Sequence, residues 1–401
     1  MAFISADFFK SLTDVFCIPK GAHIAVGVSG GADSLCLTVL LSEWAKQNDI
    51  SLTALTVNHR LRAVAEEEAY FVAQILKKRE IEHVILTNET PIPETGLEVY
   101  ARQVRYGLIY DYCKQNNITH LFLAHHQLDQ AETFLLRLGK KTGLTGLSGM
   151  RSESSYRDLT LCRPFLSVPK SDIIETLQAR QIHWIEDEMN ADEKYERVKW
   201  RHFLPVLAEQ GISAESIVST MKRLTRADEA IKEYVSRFIQ KNVWIDFRGF
   251  ARLPVNQWML CPEEVRIQII QKLINVIAQE DKPVSLQALE DLCLRLPVSA
   301  TLGGCVFVPH KTGLYIGREK RLMAPSQCVS AGLTIRWDRF LITPFVDGVI
   351  DANAPEKRIE NIPYLIQNTF PAFYMQKSLE KKVMIDYKEK NDSIIRIEFV
   401  R

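Results

Sequence analysis

His23-Ile-Ala-Val-Gly-Val-Ser29-Gly30-Gly31-Ala32-Asp33-Ser34 is the stretch on which the fold is read. A short apolar run of strand length, 23–29, passes through two glycines into an amphipathic run from Ser34 to Gln47. Consecutive glycines let the backbone turn sharply and approach a ligand closely. The first N–H groups of the following helix lack internal partners, and with the helix dipole they favour an anion. Ser29 and Ser34 add hydroxyl donors beside Gly30, Gly31 and Ala32. Asp33 cannot attract a bare phosphate by charge, so its natural task is to hold a Mg²⁺ bridging to one. No G-x-x-x-x-G-K-[ST] and no G-x-G-x-x-G occurs. The plainer alternative is a strand-to-helix turn capped by Asp33 or Ser34.

Outward from this loop two periodicities alternate. Leu52 to Val57, Val84 to Leu86 and Thr119 to Ala124 are of strand length. Glu66 to Glu80, Leu97 to Asn116 and Asp129 to Leu138 carry helical stripes. Such alternation predicts βαβ units, hence a doubly wound parallel α/β sheet whose ligands sit at the carboxyl ends of its strands. Beyond about residue 210 the pattern becomes helical, over 213–240, 262–279 and 285–296. Short β-branched and aromatic runs follow. The expected division is a catalytic domain over 1–212, a mainly helical substrate-binding domain over 213–328 and a small β-rich domain over 329–401.

With 401 residues, 46% hydrophobic and 25% charged, the chain has room for two or three cores, which excludes disorder and a disulfide-dense miniprotein. No apolar run reaches 18 residues, and 1–20 lacks a basic n-region followed by an apolar h-region, so neither a membrane span nor a secretory leader is expected. The eight cysteines form no C-x-x-C. Reduced thiols in a cytoplasm are expected, with no zinc site or iron–sulfur cluster. Lys and Arg number 50 against 49 Asp and Glu, a net charge of +1, so a polyanion would need a local basic surface.

Ser-Gly-Gly-x-Asp-Ser after an apolar strand resembles the PP-loop of the N-type ATP pyrophosphatases. The resemblance implies binding of ATP through its β- and γ-phosphates and transfer of AMP to a substrate oxygen. Further segments narrow it: Val57-Asn58-His59-Arg60-Leu61-Arg62, Ala101-Arg102-Gln103-Val104-Arg105-Tyr106, His125-His126-Gln127-Leu128-Asp129-Gln130-Ala131-Glu132-Thr133, the 142–150 stretch, Arg163-Pro164-Phe165-Leu166 and Arg197 to Pro205. In this order they resemble the tRNA(Ile)-lysidine synthases, densely over 20–210 and thinly beyond. That family would adenylate C2 of the wobble cytidine in a CAU-anticodon tRNA(Ile), and free L-lysine would then displace AMP. Leu128, Asn58, Lys141 and Val198 stand where the family commonly has an acid, an acid, a glycine and an asparagine.

Asp129 and Glu132, at i and i+3, share one face of a first helical turn. They could hold the ammonium ends of lysine, and one could accept the proton its amine must lose. Acids in a first turn are equally explained by the helix dipole. Arg105 on the long helix could anchor phosphate, and the family places His125 near the nucleotide. Over 194–226 seven basic residues (Lys194, Arg197, Lys199, Arg201, Lys222, Arg223 and Arg226) face three acids (Glu196, Glu209 and Glu215). Interleaved with Tyr195, Trp200 and His202, this reads as an RNA surface or as a solvated face. Lys140, with Lys141, is a second candidate for contact with tRNA phosphate. Rival readings are a tRNA-thiolating relative, which a C-x-x-C pair usually marks, an amidating or ligating relative with a small acceptor, and an inactive RNA-binding module.

Overall fold

The computed structural model describes residues 4, 8, 12, 15–60, 65–93, 95–186, 196–279, 284–345, 348–352, 359–375, 382–383 and 395–399. They form two units, 1–226 and 227–401.

In the first unit the quoted stretch becomes β1 (His23–Gly27) and α1 (Ala32–Gln47). There follow β2 (Ser51–Asn58), α2 (Ala65–Lys77), β3 (Glu82–Thr87), α3 (Leu97–Gln115), β4 (His120–Phe122) and α4 (Gln127–Gly139). A single helical turn at Leu144–Leu147, a hairpin of β5 (Glu153–Tyr156) and β6 (Leu159–Cys162), α5 (Lys170–Ala179) and α6 (Glu196–Glu209) precede α7 (Ala214–Asn242). The strand order is β3-β2-β1-β4-β6-β5, parallel except for β5. The doubly wound sheet expected above is therefore present. The hairpin and α5 and α6 were not in that expectation, because four-residue strands such as Glu153–Tyr156 carry no readable period.

Strand alternation sorts β1 between two cores. Ile24 and Val26 pack with Leu35, Leu37 and Leu41 of α1, Phe122, Phe165, and Ile173 and Leu177 of α5. Ala25 faces Leu55, Ile109 and Tyr110 of α3, Leu121 and Leu161. A parallel sheet covered on both faces is buried throughout, which is why these strands read as continuous apolar runs. A third cluster joins Ala131 and Leu135 of α4 to Leu204 of α6 and to Ile217, Val218 and Met221 of α7. Leu128 and Trp200 pack against it, so the leucine at an expected acidic position serves packing.

The second unit builds an antiparallel sheet, β7-β8-β11-β10-β9, from Trp244–Asp246, Phe250–Leu253, Ala300–Leu302, Cys305–His310 and Gly313–Arg318. Helices α8 (Glu263–Ala278) and α9 (Leu286–Arg295) cover it through Ile270, Leu273, Ile274, Leu289, Phe307 and Ile316. Beyond 326 come short strands in two further sheets. The boundary expected at 328/329 is bridged within this unit. Asp338 pairs with Arg318 at 3.2 Å, Arg339 donates to the Ile277 carbonyl at 2.5 Å, and Phe370 stacks on Phe250 at 5.6 Å. Burial pushes Arg339 down to about 10, with Asp338 opposing. The first boundary, expected at 212/213, falls instead inside α7, at 226/227.

Asp338 is the counter-charge to two nearly buried arginines, so Asp338→Ala strands them. A loss of about 3–5 kcal/mol in urea unfolding is expected, the magnitude for a buried pair with one partner removed. A loss under about 1 kcal/mol would show that apolar packing alone joins the terminal strands to the rest.

Candidate active site

Ser29, Gly30 and Gly31 connect β1 to α1 in a loop braced from within. The Ser34 hydroxyl donates to the Gly31 carbonyl at 3.0 Å and accepts from the Ser29 amide at 3.1 Å. The Ser29 hydroxyl lies 3.3 Å from it. Gly30 has φ +89, and a Cβ there would lie 2.9 Å from both Ile185 and Val72. Only glycine satisfies both conditions. Its carbonyl accepts from the Ile185 amide at 2.9 Å. Gly31 is the N-cap of α1 and offers no side-chain cap. The first amides of α1 thus retain the anion-binding character expected of them.

Asp33 sits in the first turn of α1, and its Oδ1 receives two cationic or potentially cationic groups. Lys170 Nζ lies at 2.6 Å and His126 Nε2 at 3.4 Å. His126 is also the N-cap of α4: its Nδ1 accepts from the Asp129 amide at 3.3 Å while Asp129 Oδ2 accepts from the His126 amide at 2.9 Å. Acceptance at Nδ1 leaves the proton of a neutral ring on Nε2, facing Asp33. One buried imidazole therefore links the phosphate loop to the acidic helix. The sequence favoured His125 over this neighbour. His125 has its Nδ1 buried without a hydrogen-bond partner, and burial pushes it down to about 4 against the pull of Asp129.

Glu132, one turn beyond Asp129, is fully buried. Arg201 of α6 donates from Nε to Oε1 at 2.7 Å, while Oε2 is buried with no hydrogen-bond partner. Burial raises the Glu132 pKa, and Arg201 opposes that rise. The two acids are thus differentiated: Asp129 caps a helix beside His126, and Glu132 is sealed against an arginine. Arg201, read as part of an RNA surface, is turned onto that acid. Arg197 is exposed, and Lys140 is exposed and lies 3.7 Å from Glu196.

Arg105 lies on the exposed side of α3; burial, aided by the Arg105 charge, pushes His59 down to about 4. Both ring nitrogens of His59 are buried without hydrogen-bond partners. Arg102 lies over the Tyr106 ring at 4.9 Å. After α4, the Gln130 amide holds Met150 by two 2.8 Å hydrogen bonds. Lys141, at the usual glycine position, adopts φ +53, the left-handed conformation that suits glycine. Lys194 and Tyr195 lie outside the described residues.

Lys170 and His126 are the site residues that sequence reading missed. The available signal for Lys170 was topological: it follows β6, the neighbour of β4, and begins a helix.

The PP-loop domain family matches residues 5–207, a span that contains every residue of this site. The tRNA(Ile)-lysidine synthase of Wolbachia pipientis wMel is 33% identical over 397 residues, 94% of this chain and 92% of the relative. The chain belongs to the PP-loop tRNA(Ile)-lysidine synthase family. Proteins of the same name from the Wolbachia of Brugia malayi and from Rickettsia akari are 32% and 33% identical over 90% and 80% of this chain. They cover 86% and 76% of their own lengths. Family membership thus extends past the PP-loop domain into the second unit.

Gly30→Ala should weaken nucleotide binding at least tenfold, measured by equilibrium dialysis, because the loop cannot keep both its turn and its packing. His59 and His125, held near pKa 4, are neutral in the folded chain while unfolded histidines protonate below about 6.5. Their contribution to stability is complete above pH 6.5 and is lost as pH falls toward 4. Urea midpoints should therefore drop between pH 7 and 5, and less steeply in His59→Gln.

Proposed function

We propose that residues 1–226 carry the complete chemistry of lysidine formation and that the remaining residues help hold the tRNA. As a PP-loop lysidine synthase, the protein is an ATP-using ligase that acts on tRNA. In the reaction, the C2 oxygen of the wobble cytidine of a CAU-anticodon tRNA(Ile) attacks the α-phosphorus of ATP. The bond from that phosphorus to the bridging oxygen breaks, and pyrophosphate leaves. The ε-amine of free lysine then attacks C2, its surplus protons pass to a base, and AMP departs with the former C2 oxygen. The product is lysidine, which reads AUA in place of AUG.

The observation that carries this reading is His126, whose two ring nitrogens lie 3.4 Å from Asp33 and 3.3 Å from Asp129. A triphosphate end and an amine end one imidazole apart suit a single adenylation and displacement. Ser29, Gly30, Gly31, Ala32 and Ser34 shape the cradle for the β- and γ-phosphates, with amides at the start of α1 as donors.

The donor set also fits Mg²⁺. Among the described residues no group of three His, Cys, Asp or Glu could hold a metal alone, whereas Mg²⁺ is commonly held by one carboxylate together with substrate phosphates. Asp33 would hold it, and when bound it would neutralise the phosphate oxygens. His125, neutral and with an unpartnered nitrogen, can face the nucleotide as donor or acceptor, and Arg105 stands near His59 for a phosphate.

Asp129 meets the lysine ammonium. Glu132, with a raised pKa and an unpartnered Oε2, takes the proton, since a base works best with its pKa near the operating pH. Arg201 keeps that carboxylate oriented. Arg197 and Lys140 contact tRNA phosphates.

Labelled lysine, ATP and a CAU-anticodon tRNA(Ile) transcript test this directly; no incorporation, with the wobble cytidine unchanged, would end the proposal. Asp33→Ala should abolish AMP release. Glu132→Gln should lower lysine incorporation about 10²-fold while adenylated tRNA still accumulates, the usual range for losing a general base. Arg201→Met should behave like Glu132→Gln, whereas Arg197→Glu should raise the tRNA KM with kcat little changed.

A further inference from the structure

Helices α4 and α6 pack antiparallel, and the charges along their contact set a register. Glu132 meets Arg201 at 2.7 Å, and at the far end of α4 Lys140 lies 3.7 Å from Glu196 at the start of α6. Each of these is a pair of opposite charges. The residues that fall between them, Arg137 on α4 and Arg197 on α6, carry the same charge. Burial, aided by the Arg197 charge, lowers the Arg137 pKa. Among the described residues neither arginine has a carboxylate partner. Two like charges brought together repel, and an anion placed between them reverses the sign.

Arg137 is held in place for such an anion. Its Nη1 donates to the Gly146 carbonyl at 2.6 Å, and the Thr142 amide and hydroxyl both donate to the Arg137 carbonyl at 3.1 Å. One edge of the guanidinium is thus fixed to the turn after α4, and its other donors stay uncommitted. Along α4 the step from Glu132 to Arg137 is about 7.5 Å, at a rise of about 1.5 Å per residue. That is the scale of one nucleotide from base to phosphate.

We propose that Arg137 and Arg197 clamp one backbone phosphate beside the wobble cytidine, so that the base reaches the acids of α4 while its phosphodiester fills the gap between two like charges. The inference rests on the lysidine reading above and adds to it Arg137 and a fixed address on the tRNA. A planar guanidinium suits a phosphodiester because it can donate to two oxygens at once. The carboxylate of free lysine is the competing anion. The cations continue outward through exposed Lys140 and Lys141, which a polyanionic strand uses and a single amino acid does not.

The test uses the full chain and its Arg137→Gln, Arg137→Lys and Thr142→Val variants. The substrate is a CAU-anticodon tRNA(Ile) carrying one uncharged methylphosphonate, on either the 5′ or the 3′ side of the wobble cytidine. At one of these positions the methylphosphonate should raise the tRNA KM of the original chain at least fivefold, and that of Arg137→Gln less than twofold. With ordinary tRNA, Arg137→Gln should raise the KM at least fivefold and leave the lysine KM within twofold. Its plot of log Kd against log salt should lose about 0.7–1 in slope, the share of one phosphate contact. Arg137→Lys should recover the KM to within about threefold. Thr142→Val loosens the same turn without removing a charge and should keep the original slope. Additive losses at both methylphosphonate positions, an unchanged slope in Arg137→Gln, or an equal change of slope in Thr142→Val would each overturn the clamp. So would a raised KM for lysine beside an unchanged KM for cadaverine, which lacks the carboxylate. Failure of the original chain to modify ordinary tRNA would overturn the underlying reading, and the clamp with it.

Discussion

The parallel pairing of β1 with β4 is the constraint on which the site depends. It places Ile24 beside His120 and Val26 beside Phe122, with β2 and β3 on one side and β6 and β5 on the other. The connection leaving β1 returns to β2, and the one leaving β4 leads toward β6, so the chain parts at their carboxyl ends. Doubly wound sheets open a crevice there. Three helices, α1, α4 and α5, begin beside it. Helix starts favour carboxylates, which accounts for Asp33 and Asp129 in their first turns. They disfavour cations, so Lys170 holds its place through Asp33, while the His126 imidazole accepts from the Asp129 amide at one nitrogen and meets Asp33 at the other. The result is a chain of polar contacts, Lys170, Asp33, His126, Asp129, built from helix ends that the core keeps fixed.

What was legible in the sequence was local. The phosphate loop announces itself because its glycines, hydroxyls and acid are contiguous, and the strand and helix around it have clean periods. The contacts that turn the loop into a site span the chain: Lys170 and Asp33 are 137 positions apart, and Arg201 and Glu132 are 69 apart. No spacing rule reaches across such distances. The choice between His125 and His126 was also out of reach. The strand ends at Phe122, and in the irregular residues that follow, alternation no longer says which ring turns inward. The joined second unit was hidden for a related reason. Its unity rests on Asp338 and Arg339 pairing across the fold, while composition alone showed a change from helix to strand.

Glu132 shows how burial alters the meaning of a motif. From the sequence, either acid of the pair could hold the ammonium or accept its proton. Fully buried, with one oxygen on Arg201 and the other unpartnered, Glu132 is energetically unfavourable as an isolated charge. Arg201 offsets part of that cost without removing it, and the pKa stays raised. A core selected only for stability would put a leucine here, as it does at Leu128, four residues earlier on the same helix. Retaining a strained acid next to a satisfied one is the pattern expected where two carboxylates have different work.

Helix α6, which supplies Arg201, reconciles overall neutrality with a polyanionic substrate. Its cations point both ways: Arg197 and Lys199 are exposed, and Arg201 reaches Glu132. Trp200 packs partly against the α4 cluster, and its neighbour Phe203 is exposed, the two rings meeting edge to face at 6.2 Å. A basic stretch is thus divided between a surface with an aromatic edge and an internal counter-charge, and the count of charges on the sequence overstates the surface by at least one. Near-neutral total charge then limits indiscriminate attraction to nucleic acid, which acts over the Debye length of about 8 Å. In the proposed function, recognition draws on the cations and rings that α6 presents, at a fixed distance from the acid that the same helix holds in place.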